Sequence, residues 1–156
     1  MGLAKGLALA HNLEIVGVPT HDIIASPQPR FDGTLLAVLQ VGRSRIAAAR
    51  YQLRQDRWIS KDMSVITTWA DLLNSAESTD VYICGEVDAE GRSILGDRFI
   101  IGTATMNVRR SACLVEITQA RIQAGDSDNP EDLIPIYLQQ PINTLEDTVV
   151  EDEKEE

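Results

Sequence analysis

The spacing of apolar positions changes several times along this chain, and each change marks an element. Between Gly2 and Ala10, residues Leu3, Leu7 and Ala10 recur at the i, i+4, i+7 spacing of one helix face. Gly2, Gly6 and Ala10 form a second row, four residues apart. A glycine inside a helix costs roughly 1 kcal/mol relative to alanine. The row therefore predicts that another backbone comes close to that side. Asn12 suits the left-handed residue that ends a helix. Ile15, Val16 and Val18 then form a short apolar run of buried-strand type. Thr20 predicts an N-cap, and Asp22 an acid in the first turn of a second helix.

Residues 26–33 hold two prolines and a glycine and read as a loop. Residues 34–41 are almost continuously apolar, which predicts a central strand. Gly42, Arg43 and Ser44 supply a turn, and residues 45–53 a second strand, so the pair reads as an antiparallel hairpin. After a polar turn at 54–57, Trp58 and Ile59 open a third strand. Thr67 or Thr68 caps a short helix that runs to about Leu73. Residues 81–85 and 99–101 are compact strands, and Gly91 and Gly96 argue against a long helix between them. A helix is expected over 108–124, capped by Asn107 and ended by Gly125. Cys113, Ile117, Ala120 and Ala124 line one side of it, and Val108, Ala112, Val115 and Ile122 the other. A helix apolar on two sides is expected to pack on both. An acidic loop comes next at 126–132, and residues 134–138 could add a strand that Pro135 confines to a sheet edge.

The residues Ala4-Lys-Gly-Leu-Ala-Leu-Ala10, with Gly17, Val18, Thr20 and Ala25 after them, resemble the middle of the TsaB (YeaZ) family. There a helix ending in AKGLALA leads into a strand and a GVSTLEALA-like helix start. The C-terminal order is similar too: a long helix, an acidic loop, and Pro135-Ile-Tyr-Leu138 where the family has P-x-Y-L-R. The resemblance runs to about Gln140. One stretch departs from it. Where the family often has L-D-A-R-R-x-E-V-Y, this chain has Leu39-Gln-Val-Gly-Arg-Ser-Arg-Ile46, with Gln40 at the acidic position and Gly42 at the first arginine.

TsaB is the non-catalytic dimerisation subunit of the bacterial machinery that places threonylcarbamoyl on an adenosine of tRNA. The resemblance implies an α/β fold: a mixed sheet with helices on both faces, the second lobe of an actin-like ATPase (ribonuclease H-like) fold. It implies that residues 1–140 form a C-terminal lobe carrying the end of a first-lobe helix, and that 141–156 are an acidic disordered tail. The family's first lobe, with its D-T-S-like strand and G-P-G-S-F-T-G-L-R loop, would precede Met1. The implied partners are a TsaD-like catalytic subunit, a TsaE-like ATPase and a possible second copy in a homodimer. Gly2, Leu3, Gly6, Leu7 and Ala10 are the implied interface, and no cofactor or catalytic residue is implied.

Charge and chemistry narrow the reading further. At 156 residues, 44% of them hydrophobic but only 4% aromatic, the chain suits one domain with an aliphatic core. Net charge is −10, and residues 146–156, with seven acids and one lysine, contribute −6 of it. The rest carries −4, which disfavours direct nucleic-acid contact, because phosphates need a positive surface. Any RNA contact is expected from a partner. No apolar run approaches the ~20 residues of a membrane span. The N-terminus lacks a signal-peptide pattern, so a cytoplasmic location is expected.

Cys84 and Cys113 read as free buried thiols. His11 and His21 are expected to face solvent or cap helices, because no H-E-x-x-H or paired-histidine motif surrounds them. There is no G-x-S-x-G elbow, and the glycines at 85 and 91 come with acids and no P-loop lysine. Arg43, Arg45 and Arg50 make the most basic patch, either a solvated hairpin edge or a docking surface. The acidic tail reads as a solvated extension or as a mask for a basic partner. A degenerate glycoprotease-like peptidase would need a clustered nucleophile and base. A structural fragment with no retained partner surface would need neither.

Overall fold

The computed structural model describes residues 1–75 and 80–136. The centre of the fold is β1 (Thr34–Val41), the run predicted to be a central strand. On one side it pairs antiparallel with β2 (Arg45–Arg54) through the turn at 42–44. On the other it pairs parallel with β5 (Val81–Gly85), which in turn pairs parallel with the short β6 (Ile100–Ile101). Beyond β2 lies β3 (Arg57–Ser60), and β4 (Val65–Thr67) pairs with the other end of β2. The strand order is β3-β2-β1-β5-β6, a mixed sheet.

A strand buried on both faces needs apolar residues at every position, and β1 has them: Leu35, Leu36, Ala37 and Val38 are all buried. The pleat divides the core. Leu36, Val38, Ile46, Ala48, Val81 and Ile83 point to one face. There they meet Trp69 and Leu72 of α3 (Trp69–Ser75) and Leu95 of α4 (Ala89–Leu95), with Phe99 beside them. Leu35, Ala37, Ala49, Tyr51 and Cys84 point to the other face, against Ile24 and Ala25 of α2 (Thr20–Ala25). Helices thus cover both faces of the sheet.

The short helices are held by local chemistry. Thr68 Oγ1 accepts the Asp71 N–H at 3.2 Å and donates to the Asp71 carboxylate at 2.8 Å, a reciprocal cap for α3. Asp88 accepts the Gly91 N–H at 2.7 Å and caps α4. Gly85 ends β5 with φ +102°, and a Cβ there would lie 2.1 Å from the Val38 carbonyl oxygen. Only glycine lets β5 come this close to β1.

Several sequence expectations need correction. The stretch at 15–18 forms no sheet strand. Its one ladder contact is an isolated bridge from Ile15 to Asp128. Thr20 is the first residue of α2, and Pro19 holds the cap position, so no side-chain cap bond forms there. Phe99 is buried just before β6 instead of lying in it.

The last helix, α5 (Ser111–Gln123), starts later than expected. Asn107 does not cap it: Arg110 holds the cap position, and the Asn107 amide instead donates to the Gly102 carbonyl at 3.1 Å. Nor is α5 packed on both sides. Cys113 is buried, whereas Val108, Ala112 and Val115 are exposed and Ile122, the fourth residue of that side, is half-buried. Residues 134–136 form no strand, and 137–138 lie outside the described residues, as does the acidic tail.

Candidate interaction surface

The apolar residues of α1 (Gly2–His11) have almost no protein around them among the described residues. It ends as the sequence predicts: Asn12 is left-handed, at φ 51° and ψ 47°, and the Leu13 N–H returns to the Ala8 carbonyl at 2.9 Å. Ala8 is its single buried residue. Leu3 is 80% exposed, Leu7 49% and Leu9 65%. Gly2, Gly6 and Ala10 are exposed as well. A Cβ added at Gly2 or Gly6 would meet nothing within 4 Å. The close backbone approach expected of the glycine row is therefore not made within this chain. All five residues implied as an interface, Gly2, Leu3, Gly6, Leu7 and Ala10, lie open to solvent.

The segment after α1 is anchored by polar chemistry. The Asp128 carboxylate accepts the Gly17 N–H at 2.7 Å, and the Asp128 N–H donates to the Ile15 carbonyl at 2.9 Å. Arg121, near the end of α5, holds this arrangement from the other side. Its guanidinium donates to the Gly17 carbonyl at 2.9 Å, to Asp128 at 3.2 Å, and twice to Asp126 at 2.7 and 3.1 Å. A forked guanidinium suits such paired carboxylates. The Gly17 N–H, ahead of Arg121, holds the Asp128 carboxyl below its ordinary range, and Arg121 does the same for Asp126. The link between Gly17 and Arg121 spans 104 residues. No local pattern announces it, so the sequence reading misses all three charged residues.

Two solved structures share this architecture. One is the crystal structure of an uncharacterized protein with similarity to peptidase YeaZ from Pseudomonas aeruginosa. It matches with a TM-score of 0.67 and 16% identity over 88% of this chain and 65% of that one. The other, YeaZ from Pseudomonas aeruginosa, matches with the same TM-score and identity over 87% of this chain and 65% of that one. The fold is YeaZ-like. At this identity the likeness concerns the fold alone, a mixed α/β sheet with helices on both faces. The chain spans 65% of the length of each of these structures. No protein-family model matches the chain, and no curated protein matches it.

Within the YeaZ-like frame, the residues with reactive side chains are scattered. His11 is exposed, but His21 is buried, contrary to expectation. It lies on the sheet side of α2, with Nε2 3.1 Å from the Ala47 carbonyl oxygen. Cys84 and Cys113 are both free and buried, as expected. Burial pushes the Cys84 thiol up to about 12, away from the thiolate that a nucleophile requires. Among the described residues, no three His, Cys, Asp or Glu side chains gather as a metal site. No helix among them is long and apolar enough to cross a membrane.

An open cleft of ≈ 640 Å³ separates α2 and β3 from α5. Asp22, Arg57, Trp58, Glu116 and Ile117 are among its lining, which among the described residues includes no cysteine or histidine. Asp22 accepts the Tyr51 hydroxyl at 2.5 Å. Burial, and next that bond, raise the Tyr51 pKa far above its ordinary value, so it stays a neutral donor.

The acids at 86–88 are occupied by structural bonds. Glu86 accepts the Gln40 N–H at 2.9 Å and pairs with Arg109. Asp88 accepts the Gln40 amide at 2.7 Å. Gln40, which departs from the family's acidic position, thus ties the end of β1 to the start of α4.

Proposed function

We propose that this chain is a non-catalytic protein-interaction subunit of the TsaB kind, supporting threonylcarbamoylation of adenosine in tRNA by a TsaD-like catalytic partner. The observation that carries this reading is the exposed apolar side of α1, Leu3, Leu7 and Leu9, beside two glycines with open space around them. Small and apolar residues together permit a second helix to pack closely. Exposed apolar surface of this kind marks interaction sites. The YeaZ-like fold and the family resemblance of Ala4 to Ala10 suggest the partner: a TsaD-like subunit, or a second copy of the chain in a homodimer. A TsaE-like ATPase would join the assembly through that pair, and nucleotide and RNA would be handled by the partners.

A peptidase role receives less support, although one structural neighbour is described by its similarity to a peptidase. The buried Cys84 thiol is held protonated, and the cleft is lined by neither cysteine nor histidine. The test is sedimentation velocity of the full chain, alone and mixed with a purified TsaD-like subunit. Co-sedimentation is expected, with affinity lowered at least about tenfold by Leu7→Glu and by the overpacking variant Gly6→Leu. Binding that is absent, or indifferent to both substitutions, would remove α1 from the interface.

A further inference from the structure

The positive charge of this acidic protein is concentrated on one ribbon. Residues 43–61 carry six of the fourteen cations and one acid, Asp56. Outside this segment and residues 146–156, acids outnumber cations 16 to 7. The β2–β3 register places the cations further. Arg54 lies directly opposite Arg57, and Gln52 opposite Ile59. The Lys61 N–H donates to the Arg50 carbonyl at 2.8 Å, so Lys61 continues the register opposite Arg50.

Opposed residues of an antiparallel pair share a face, and alternate residues along a strand share it too. Arg50, Arg54 and Arg57 therefore stand on one face of the ribbon, with Lys61 at its end. All four are exposed. Among the described residues none of their side chains makes an ion pair or hydrogen bond. The nearest acid in sequence, Asp56, is paired with Arg30 at 2.7 Å. Like charges directly opposite destabilise a strand pair. Two such pairs share this face, separated by the uncharged Gln52–Ile59 pair, and an anion on it would relieve their repulsion.

The geometry points to this face as the docking site of the chain's own acidic C-terminal segment, residues 146–156. The charges are complementary: that segment carries seven acids and one lysine, and the ribbon face carries four unpaired cations. The reach suffices. The roughly ten residues between Ile136 and Glu146 extend up to about 33–36 Å, about the width of a domain of this size. A tether of that length supplies an effective concentration of order mM, enough for individually weak ion pairs to add up. Outside the ribbon acids outnumber cations, so competing sites for the segment are disfavoured. This docking is independent of the partner proposed for α1.

The test is amide NMR of the full chain at about 20 mM salt, where exposed charges are least screened. Wild type is compared with a variant whose seven acids at 146–156 are changed to Gln and Asn. The expected result is a set of shift differences confined to residues 50–61, removed at about 500 mM salt, and absent when the comparison is repeated in an Arg54→Gln/Arg57→Gln background. No difference, a difference spread over the whole surface, or one that survives in that background would overturn the assignment. A single-stranded uridine 12-mer supplies the second arm. If the tail covers the ribbon, neutralising it should strengthen oligonucleotide binding there at least about fivefold. Equal perturbation of 50–61 in both proteins would make RNA the occupant and overturn the tail.

Discussion

β1 and α1 are built from the same residue types and end in opposite environments. Thr34–Val41 reads TLLAVLQV, and Gly2–His11 reads GLAKGLALAH. Leu35, Ala37 and Val38 have no exposed surface, whereas Leu3, Leu7 and Leu9 are all exposed to solvent. The difference is one of backbone chemistry. A strand leaves its N–H and C=O groups to its neighbours, so β1 exists only as part of the sheet, between β2 and β5. A helix satisfies most of its own backbone and can stand with its apolar side uncovered. Burial of β1 is therefore expected to govern stability, and exposure of α1 to govern association.

The largest effect expected from this contrast is at Val38. It is fully buried between β2 and β5, and Val38→Asp would place a carboxylate there with no partner. The cost is several kcal/mol, comparable with the ~5–15 kcal/mol that holds a domain together. Circular dichroism should show an unfolded chain at 25 °C. A cooperative melt close to that of the parent would mean that the sheet centre is not the source of stability.

α5 reproduces the contrast within one element. Cys113 is 7% exposed and Val115 61%, two residues apart. Cys113→Asp should cost roughly 2–3 kcal/mol in urea denaturation, and Val115→Asp no more than about 0.5. Equal losses would show that the Val115 side is covered, as the two-sided sequence pattern suggests.

These cases show what is legible in the sequence. β1 and β5 are readable to the residue, because a continuous apolar run that stops at a glycine has few other uses. Asn12 is readable because asparagine tolerates the left-handed backbone that ends a helix, and Thr68 because its side chain acts within one turn. Residues 15–18 mislead because their run resembles a strand, while their position is set by Arg121 and Asp128, more than 100 residues away. The second apolar side of α5 misleads because composition cannot say whether a neighbour exists to cover it. The basic ribbon is half legible. Arg50 stands out in the sequence, but the opposition of Arg54 and Arg57 comes from a register that the two-residue turn at Gln55 and Asp56 sets.

The anchoring of α1 makes a smaller, pH-dependent prediction. Asp128 and Asp126 have carboxyls held below their unfolded values. A depressed folded pKa contributes stability above the unfolded value of about 3.9, and that contribution is lost as pH falls through the folded value. Asp126 is exposed and Asp128 half-buried, both within reach of solvent, so screening keeps the effect small. Hydrogen exchange at the Gly17 amide is the local readout. Protection beyond the intrinsic pH trend should be constant from about pH 7 to about pH 5 and fall below about pH 4. In Asp128→Asn the protection should be lower and flat over that range. A wild-type profile that stays flat to the acid limit would show that the carboxylate is not what holds Gly17.

The smallest effect on stability belongs to the most apolar exposed positions. Leu3→Glu and Leu7→Glu together remove two leucines from α1, yet both side chains face solvent, and surface changes of this kind stay within about 0.5 kcal/mol. The midpoint of urea denaturation should be unchanged for the monomer at low concentration. Association should respond instead. Wild type should sediment faster as concentration rises, because apolar surface of this size is sticky in water, and the double variant should stay monomeric. If the substitutions destabilise the monomer as much as Cys113→Asp, α1 belongs to the core and the contrast with β1 fails. If they change neither stability nor association, the helix is exposed without being a surface for binding.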